Sequence, residues 1–203
     1  MFLITGFEPF ISAEGVTLDE NPTAAIAQAV AATSGDIESR IFPVSYERTR
    51  MAFELALREV KPKFWVGLGY APHRSTIDVE SIALNLEYST RPDNDGIQPN
   101  GRPIITGSPL ARQTNVDVKQ AVTFLDGCGA PARRWTHAGT FLCNQVFFLG
   151  CEAVAAGGPP SYSIFVHVPP MESYAPLIVG LSQWLSSMRT KLSFVCPIEG
   201  TTE

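Results

Sequence analysis

The chain has 203 residues, of which 45% are hydrophobic and 17% are charged, and its formal net charge is -5 at pH 7. This length suffices for a single core, and we expect one domain over residues 1–203. The acidic balance and the lack of a dense lysine or arginine run argue against nucleic acid or an anionic membrane as the main partner, and they favour a small neutral or peptide-like ligand.

The first third of the chain alternates predicted strands and helices. In chain order, we predict strand 2–5, helix 22–32, strand 41–44, helix 47–60 and strand 64–68. Asn21 and Pro22 suit the N-cap and first turn of the first helix, and Met51, Leu55 and Val60 lie near helical spacing in the second. This order predicts an α/β fold in which parallel strands are joined by right-handed crossovers and helices cover the sheet faces.

The middle of the chain departs from this alternation. Residues 75–87 alternate imperfectly and predict a strand, whereas residues 91–109 are dense in proline, glycine, asparagine and aspartate. Loops of that length often carry function, so residues 91–109 are a candidate lid or subunit interface, with a mobile surface excursion as the open alternative. The remaining predicted elements are helix 115–125, helix 143–156, strand 162–168 and helix 176–189.

Cys143 stands at the start of the predicted helix 143–156, shortly after the small residues Ala138-Gly139-Thr140. The free N–H groups and the macrodipole at a helix N-terminus stabilise a thiolate, so a cysteine at this position can act as a nucleophile. Free cysteine is also among the most buried residue types. Position alone therefore leaves both a catalytic and a packing role open for Cys143.

A cysteine nucleophile needs a base and a group that orients the base. His167 ends a predicted strand, and the carboxyl ends of parallel strands form the crevice where ligands bind, so His167 is a candidate base. Glu80 and Asp78 share one face of a predicted strand, and either carboxylate is a candidate orienting group because a buried charge needs a partner. His73 and His137 are interpreted as bystanders.

The remaining cysteine and N-terminal patterns bear on metal binding and location. Cys128, Cys143, Cys151 and Cys196 lack the paired spacing of a zinc site, so we expect four reduced thiols and no metal. The apolar N-terminus lacks a basic region and a cleavage site, and no apolar run approaches the roughly 18 residues of a membrane span. We therefore expect a cytoplasmic protein.

Five motifs occur in the order in which a known peptidase family has them. They are Thr5-Gly6-Phe7-Glu8-Pro9-Phe10 with Asn21-Pro22 downstream, the stretch from Arg74 through Glu80 to Asn85, Pro92-Asp93-Asn94-Asp95-Gly96 with Gln98-Pro99, Ala138-Gly139-Thr140-Phe141-Leu142-Cys143-Asn144, and His167 followed by Val168-Pro169. On these motifs the chain resembles the pyroglutamyl peptidase I family, also called pyrrolidone-carboxylate peptidases, over most of its length.

This resemblance implies a fold and an activity. The fold is a three-layer α/β/α sandwich with a central, largely parallel but mixed, twisted sheet. The activity is removal of an N-terminal pyroglutamyl residue from peptides, through a thioester and without a cofactor, by a cytosolic homodimer or homotetramer. By the same resemblance, Cys143 is the nucleophile, His167 is its general base and acid, and Glu80 orients His167.

The substrate pocket is also implied by the resemblance. Its candidate residues are Phe7, Phe10, Tyr70, Phe141 and Leu142. Phe7 and Phe10 match positions whose rings line the family's pocket, although ordinary core packing is an open alternative for both. Such a pocket needs an apolar wall with hydrogen bonds to the lactam, because a pyroglutamyl group carries no ammonium.

The chain departs from the family pattern at three places around the substrate. The family has Phe-Gly-Gly where this chain has Phe10-Ile11-Ser12, and Gly-Gln-Ala-Gly-Gly-Arg where it has Gly69-Tyr70-Ala71-Pro72-His73-Arg74. The family often has an arginine of the oxyanion region where an ungapped count places Thr90. Either the adjacent Arg91 reaches the site by a local shift or that contribution is absent.

The departures leave the three catalytic candidates unchanged, so we expect a thiol amidohydrolase with altered or reduced preference for pyroglutamyl peptides. Three alternatives stay open: a hydrolase of another N-blocked amide, a noncatalytic binding or assembly protein, and a nucleoside-phosphorylase-like enzyme of similar architecture. Against the last, the chain has no glycine-rich phosphate loop followed by a basic residue.

Overall fold

Helices and strands alternate through most of the chain. The computed structural model describes residues 1–10 and 21–193. Its strands are β1 (Phe2–Phe7), β2 (Ile37–Phe42), β3 (Phe64–Tyr70), β4 (Ile77–Leu84), β5 (Glu87–Tyr88), β6 (Asn100–Arg102), β7 (Ala111–Gln113), β8 (Ala132–His137) and β9 (Tyr162–Val168). Its helices are α1 (Pro22–Ala31), α2 (Tyr46–Val60), α3 (Val118–Gly127), α4 (Leu142–Ala155) and α5 (Ala175–Ser193).

Seven of these strands form the central sheet. Their order is β2-β1-β3-β9-β4-β7, and β8 pairs with β4. The strands β2, β1, β3 and β9 are parallel to one another, whereas β4 runs antiparallel to β9 and β7 and parallel to β8. The prediction of a largely parallel mixed sheet is therefore confirmed, and β5 and β6 form a separate hairpin.

The two faces of the sheet are covered by different helices. One buried cluster joins the sheet to α1, α3 and α5, with Trp184 and Ile26 fully buried in it. The other joins the opposite sheet face to α2 and α4 and is rich in aromatic side chains, including Trp65, Phe147 and Phe165. The predicted three-layer sandwich is confirmed.

Helix termini follow the predicted capping chemistry. The Asn21 side chain accepts a hydrogen bond from the backbone N–H of Thr23, and Pro22 occupies the first turn of α1. Ser45 caps α2 in the same way, and α2 ends at Lys61, which is left-handed with φ 45°. None of the helices within residues 1–10 and 21–193 is long and apolar enough to cross a membrane.

Two predicted features were wrong in detail. The second strand spans Ile37–Phe42 instead of 41–44, because this edge strand pairs only with β1 and so admits polar residues that hide its apolar pattern. In α2, Met51 and Leu55 face solvent, and the buried face is formed by other residues, among them Phe53 and Leu57.

Strand β8 was not predicted at all, since five of its six residues are exposed at a sheet edge. The excursion 91–109 was predicted without regular structure, yet it contains β6, which pairs with β5 just before it.

The cysteine prediction concerns four positions, of which three can be described. Cys128, Cys143 and Cys151 are free thiols in the described part of the chain. Cys196 lies outside the described residues, as do Ile11 and Ser12 of the first departure from the family pattern.

Candidate active site

The carboxyl ends of three parallel strands and the N-terminus of α4 meet around one cavity of about 660 Å³. This is the edge of an α/β sheet at which ligands commonly bind. The cavity brings together every predicted site residue except Glu80, namely Phe7, Phe10, Tyr70, Thr90, Arg91, Phe141, Leu142, Cys143 and His167. Glu80 lies fully buried behind His167.

Cys143 lies in the first turn of α4, as predicted. The helix begins at Leu142, and Phe141 occupies the N-cap position without a side-chain hydrogen bond to the first turn. The first N–H groups of α4 are therefore not capped by a side chain and remain suited to holding negative charge. Gly139, with φ 79°, turns the chain from β8 into this helix.

A glycine on β3 makes room for the thiol. A Cβ atom added to Gly69 would lie 2.7 Å from Cys143 Sγ and 2.8 Å from Phe165 Cε1, well inside van der Waals contact. Gly69 pairs directly with His167 on the neighbouring strand. The sulfur therefore lies over the sheet beside the histidine, and only glycine fits beneath it.

His167 contacts both other members of the predicted triad. Its Nδ1 lies 2.7 Å from Glu80 Oε1, and its ring lies beside the Cys143 side chain in the cavity, close enough for the two to interact electrostatically. Because Nδ1 faces the carboxylate, Nε2 is the ring nitrogen left for the thiol. The arrangement thus places a nucleophile next to a base, and the base next to an orienting carboxylate, as acyl transfer by a cysteine requires.

Neighbouring side chains change the pKa of His167. Its burial disfavours the charged ring, but the Cys143 side chain and then Glu80 stabilise that ring by charge and hydrogen bonding, and together they raise the pKa of His167 to about 9. The side chains around His167 therefore stabilise its protonated form, which is the form that follows transfer of a proton to the ring.

Asp78, the competing orienting group, is engaged elsewhere. It accepts hydrogen bonds from Arg74, Arg133 and Thr76, at 2.6 Å for each arginine and 3.1 Å for the threonine. Burial opposes its ionisation, but hydrogen bonding from Arg133 and the charge of both arginines lower the pKa of Asp78 below its usual range. The carboxylate in contact with His167 is therefore that of Glu80.

Arg91 reaches the cavity despite its displaced position in the sequence. Its guanidinium carbon lies 5.1 Å from the ring centroid of Phe10 and 4.9 Å from that of Phe141. These are cation–π distances, so Arg91 bridges two aromatic walls of the cavity. Thr90 also lines the cavity.

Tyr70 ends β3 at the cavity, and the loop that follows it carries His73 and Arg74 into the cavity wall. The Ala71 N–H donates to Val168 O at 2.9 Å and ties this loop to the end of β9. His73 thus lies at the site, contrary to the bystander interpretation, whereas His137 is exposed outside the cavity and accepts a hydrogen bond from the Gly139 N–H.

Sequence reasoning missed one residue that holds the nucleophile helix. The buried Asn144 side chain accepts from Leu84 N and donates to Leu84 O, both at 2.8 Å, and donates to Leu86 O at 3.0 Å. It therefore ties the first turn of α4 to the end of β4. A polar residue inside an otherwise apolar helix start was the available signal, because a buried amide needs partners.

Comparison with known proteins places this geometry in a family. The profile described as pyroglutamyl peptidase matches residues 1–190. A pyrrolidone-carboxylate peptidase of Pyrococcus furiosus is 35% identical over 170 residues, which are 82% of this chain and 79% of the relative. One from Saccharolobus islandicus is 32% identical over 205 residues, or 95% of this chain and 93% of the relative.

Solved structures agree with the sequence relatives. The pyrrolidone carboxyl peptidase of Thermococcus litoralis superposes with a TM-score of 0.86 at 32% identity, covering 95% of this chain and 94% of that chain. A mutant of the Pyrococcus furiosus enzyme gives a TM-score of 0.85 at 31% identity, with 94% and 99% covered. On the profile match, the curated relatives and the shared fold, this chain belongs to the pyroglutamyl peptidase family of cysteine peptidases.

Proposed function

We propose that this chain hydrolyses the amide bond that follows an N-terminal pyroglutamyl residue of a peptide. In this proposal Cys143 is the nucleophile, His167 is the general base and acid, and Glu80 orients His167. The observation that carries it is the unbroken contact from Cys143 through His167 to Glu80 in a cavity at the carboxyl edge of the sheet. Membership of the pyroglutamyl peptidase family supports the same activity.

The proposed reaction has two steps. His167 accepts the thiol proton, and the Cys143 sulfur attacks the carbonyl carbon that follows the lactam ring. The tetrahedral intermediate expels the peptide amine, which takes its proton from His167, and a thioester between Cys143 and the pyroglutamyl group remains. In the second step His167 accepts a proton from water, hydroxide attacks the thioester, and the sulfur leaves to release pyroglutamate.

The oxyanion is proposed to form at the start of α4. The N–H groups of the first turn are not capped by a side chain, and they point out of a helix N-terminus, where negative charge is stabilised. Arg91 supplies a further positive charge in the cavity wall. We assign Arg91, and not Thr90, to the role that an arginine has in the family's middle loop.

The walls of the cavity suit a substrate without an ammonium group. Phe7, Phe10, Phe141 and Leu142 supply apolar surface. None of the lining residues in the described part of the chain is an aspartate or a glutamate, so these walls offer no carboxylate to a free amino terminus. This composition supports a pyroglutamyl peptide over an ordinary peptide as the substrate.

The direct test is release of a fluorophore from a pyroglutamyl amide by the purified chain. Cys143→Ala should abolish turnover, and Cys128→Ala, which removes another partly exposed thiol outside the cavity, should leave it unchanged. Equal rates for the wild-type chain and Cys143→Ala would remove the nucleophile assignment. Turnover of N-acetylated amides alone would favour the alternative hydrolase, and binding of pyroglutamate without any turnover would favour the noncatalytic alternative.

Domain organisation, assembly and location belong to the same proposal. We propose one catalytic domain over residues 1–203 that acts in the cytoplasm as a homodimer or homotetramer. The segment 99–110 supports assembly, since Leu110 at its end is 88% exposed and a large apolar side chain there is suited to a subunit contact. A strictly monomeric mass in solution would exclude this part of the proposal.

A further inference from the structure

Arg74 connects the two buried carboxylates of β4. Its Nη1 atom donates to Asp78 Oδ2 at 2.6 Å and to Glu80 Oε1 at 2.7 Å. Both acidic side chains are 0% exposed, whereas the Arg74 side chain is 18% exposed and reaches them from the loop after β3. One guanidinium nitrogen therefore bridges two charges on the same sheet face.

The two carboxylates depend on Arg74 to different extents. Asp78 has Arg133 and Thr76 as further hydrogen-bond partners. Among the described residues, Glu80 has Arg74 and His167 as its hydrogen-bond partners, and both donate to the same oxygen, Oε1. Within the described residues, Glu80 Oε2 has no hydrogen-bond partner. Without Arg74, the orienting carboxylate would retain only the histidine that it is meant to orient.

We propose that Arg74 is a positioning residue for the reaction, which holds the Glu80 carboxylate in place so that Glu80 can fix the His167 ring toward Cys143. This inference rests on the proposed function. Arg74 acts through Glu80, and its guanidinium contacts the carboxylates and lies 5.4 Å from the ring centroid of Trp135.

The physical reason is the cost of a buried charge. A fully buried carboxylate with no cation is easily protonated, and a protonated Glu80 would lose most of its attraction for the imidazolium. The charged or titratable groups near Glu80 and His167 are Cys143 from α4, Asp78 from β4, Arg74 from the loop after β3, and Arg133 from β8 beyond Asp78. Arg74 is the arginine of this group that contacts Glu80.

Three variants separate this role from general structural support. Arg74→Met keeps the length of the side chain and removes the charge, and Arg74→Lys restores a positive charge that can contact both carboxylates. Arg133→Met is the matched control, because it removes the other arginine on Asp78, at 2.6 Å, without touching Glu80. Circular dichroism and thermal unfolding establish that each variant is folded.

The assay is hydrolysis of a pyroglutamyl amide between pH 5 and 10. For Arg74→Met we expect kcat to fall by about 10-fold to 100-fold. The acidic limb of its profile should move to higher pH, because a buried carboxylate that has lost a neighbouring cation is more readily protonated, and KM should change little. Arg74→Lys should recover most of kcat and the original limb. Arg133→Met should keep both.

A rise in KM with unchanged kcat and an unmoved limb in Arg74→Met would overturn the proposal and assign Arg74 to substrate binding. Equal losses in Arg74→Met and Arg133→Met would overturn it in favour of general support. The rate of Cys143 alkylation by iodoacetamide, followed by mass spectrometry across the same pH range, gives a second measurement that needs no substrate. If the wild type fails to turn over the amide, the proposed function fails. The positioning role is then judged from alkylation alone. Alkylation profiles that differ between Arg74→Met and Arg133→Met support this role, and identical profiles refute it.

Discussion

The close approach of Cys143 to the backbone of β3 gives a sharp prediction for Gly69→Ala. The new Cβ atom would lie 2.7 Å from Cys143 Sγ, which is about 1 Å inside van der Waals contact, so the sulfur or the strand has to move by roughly that distance. A displacement of about 1 Å in a reacting group can cost about 100-fold in rate. We expect kcat for a pyroglutamyl amide to fall by that order.

The same substitution overpacks the core. Gly69→Ala also meets Phe165, at 2.8 Å, and overpacking of this kind costs about 1–3 kcal/mol. In a domain of this size, each kcal/mol lowers the melting temperature by about 2–4 °C, so we expect a decrease of roughly 2–12 °C. Activity is therefore measured well below the melting temperature of the variant.

Gly67→Ala is the matched control for this experiment. It lies two residues earlier on the same face of β3, and its Cβ would meet the same Phe165 ring at 2.4 Å and Trp65 at 2.7 Å, so that these rings, and not Cys143, are its nearest neighbours. It should lose comparable stability but retain kcat within about threefold, because the nucleophile stays in place. Equal losses of kcat in the two variants would refute the reasoning, since displacement of Phe165 alone would then explain both.

Three further predictions concern pH, packing and thiol reactivity. The pKa of His167 is raised from 6.5 to about 9, so its contribution to the free energy of unfolding is complete below pH 6.5 and is lost as pH rises through 9. Denaturant unfolding of the wild type should therefore show a free energy of unfolding that falls over this pH range, and His167→Gln should lack that fall. Asn144→Ala should lose about 1–3 kcal/mol in the same assay, as the Leu84 backbone groups lose their partner. Burial raises the pKa of Cys151 to about 12, so mass spectrometry should find iodoacetamide on Cys143 and little on Cys151 in the native protein.

The strands that could be predicted from the sequence were those that are buried on both faces of the sheet. Strands β1, β3 and β9 are buried almost throughout, so continuous apolar runs mark them. Strands β2 and β8 lie at sheet edges, where polar and charged side chains are tolerated and the apolar signal is diluted. The hydrogen-bonding partner that makes each of them a strand is distant in sequence, so local patterns miss it.

The site was predictable as a set of residues but not as a set of contacts. Motif order identified Cys143, His167 and Glu80, and the geometry joins these three. The approach of Gly69 to the sulfur and the bridge made by Arg74 depend on atoms from different strands and loops. Neither residue type carries a signal that would distinguish these roles in a single sequence.

Sheet register explains why Glu80, and not Asp78, contacts the histidine. Gly69, His167 and Asp78 are paired in one row across three adjacent strands. The glycine beneath the Cys143 sulfur, the base and a carboxylate are therefore neighbours. Asp78 lies at the level where Arg74 and Arg133 reach it from the loop after β3 and from β8.

Because β4 runs antiparallel to β9, Glu80 is two residues deeper in the sheet, diagonal to His167 and away from solvent. A carboxylate below the ring draws Nδ1 inward and leaves Nε2 for Cys143 at the cavity. The reversed direction of β4 in a mostly parallel sheet therefore sets the orientation of the base, and a shift of one residue in the pairing of β4 with β9 would turn both carboxylates to the opposite face.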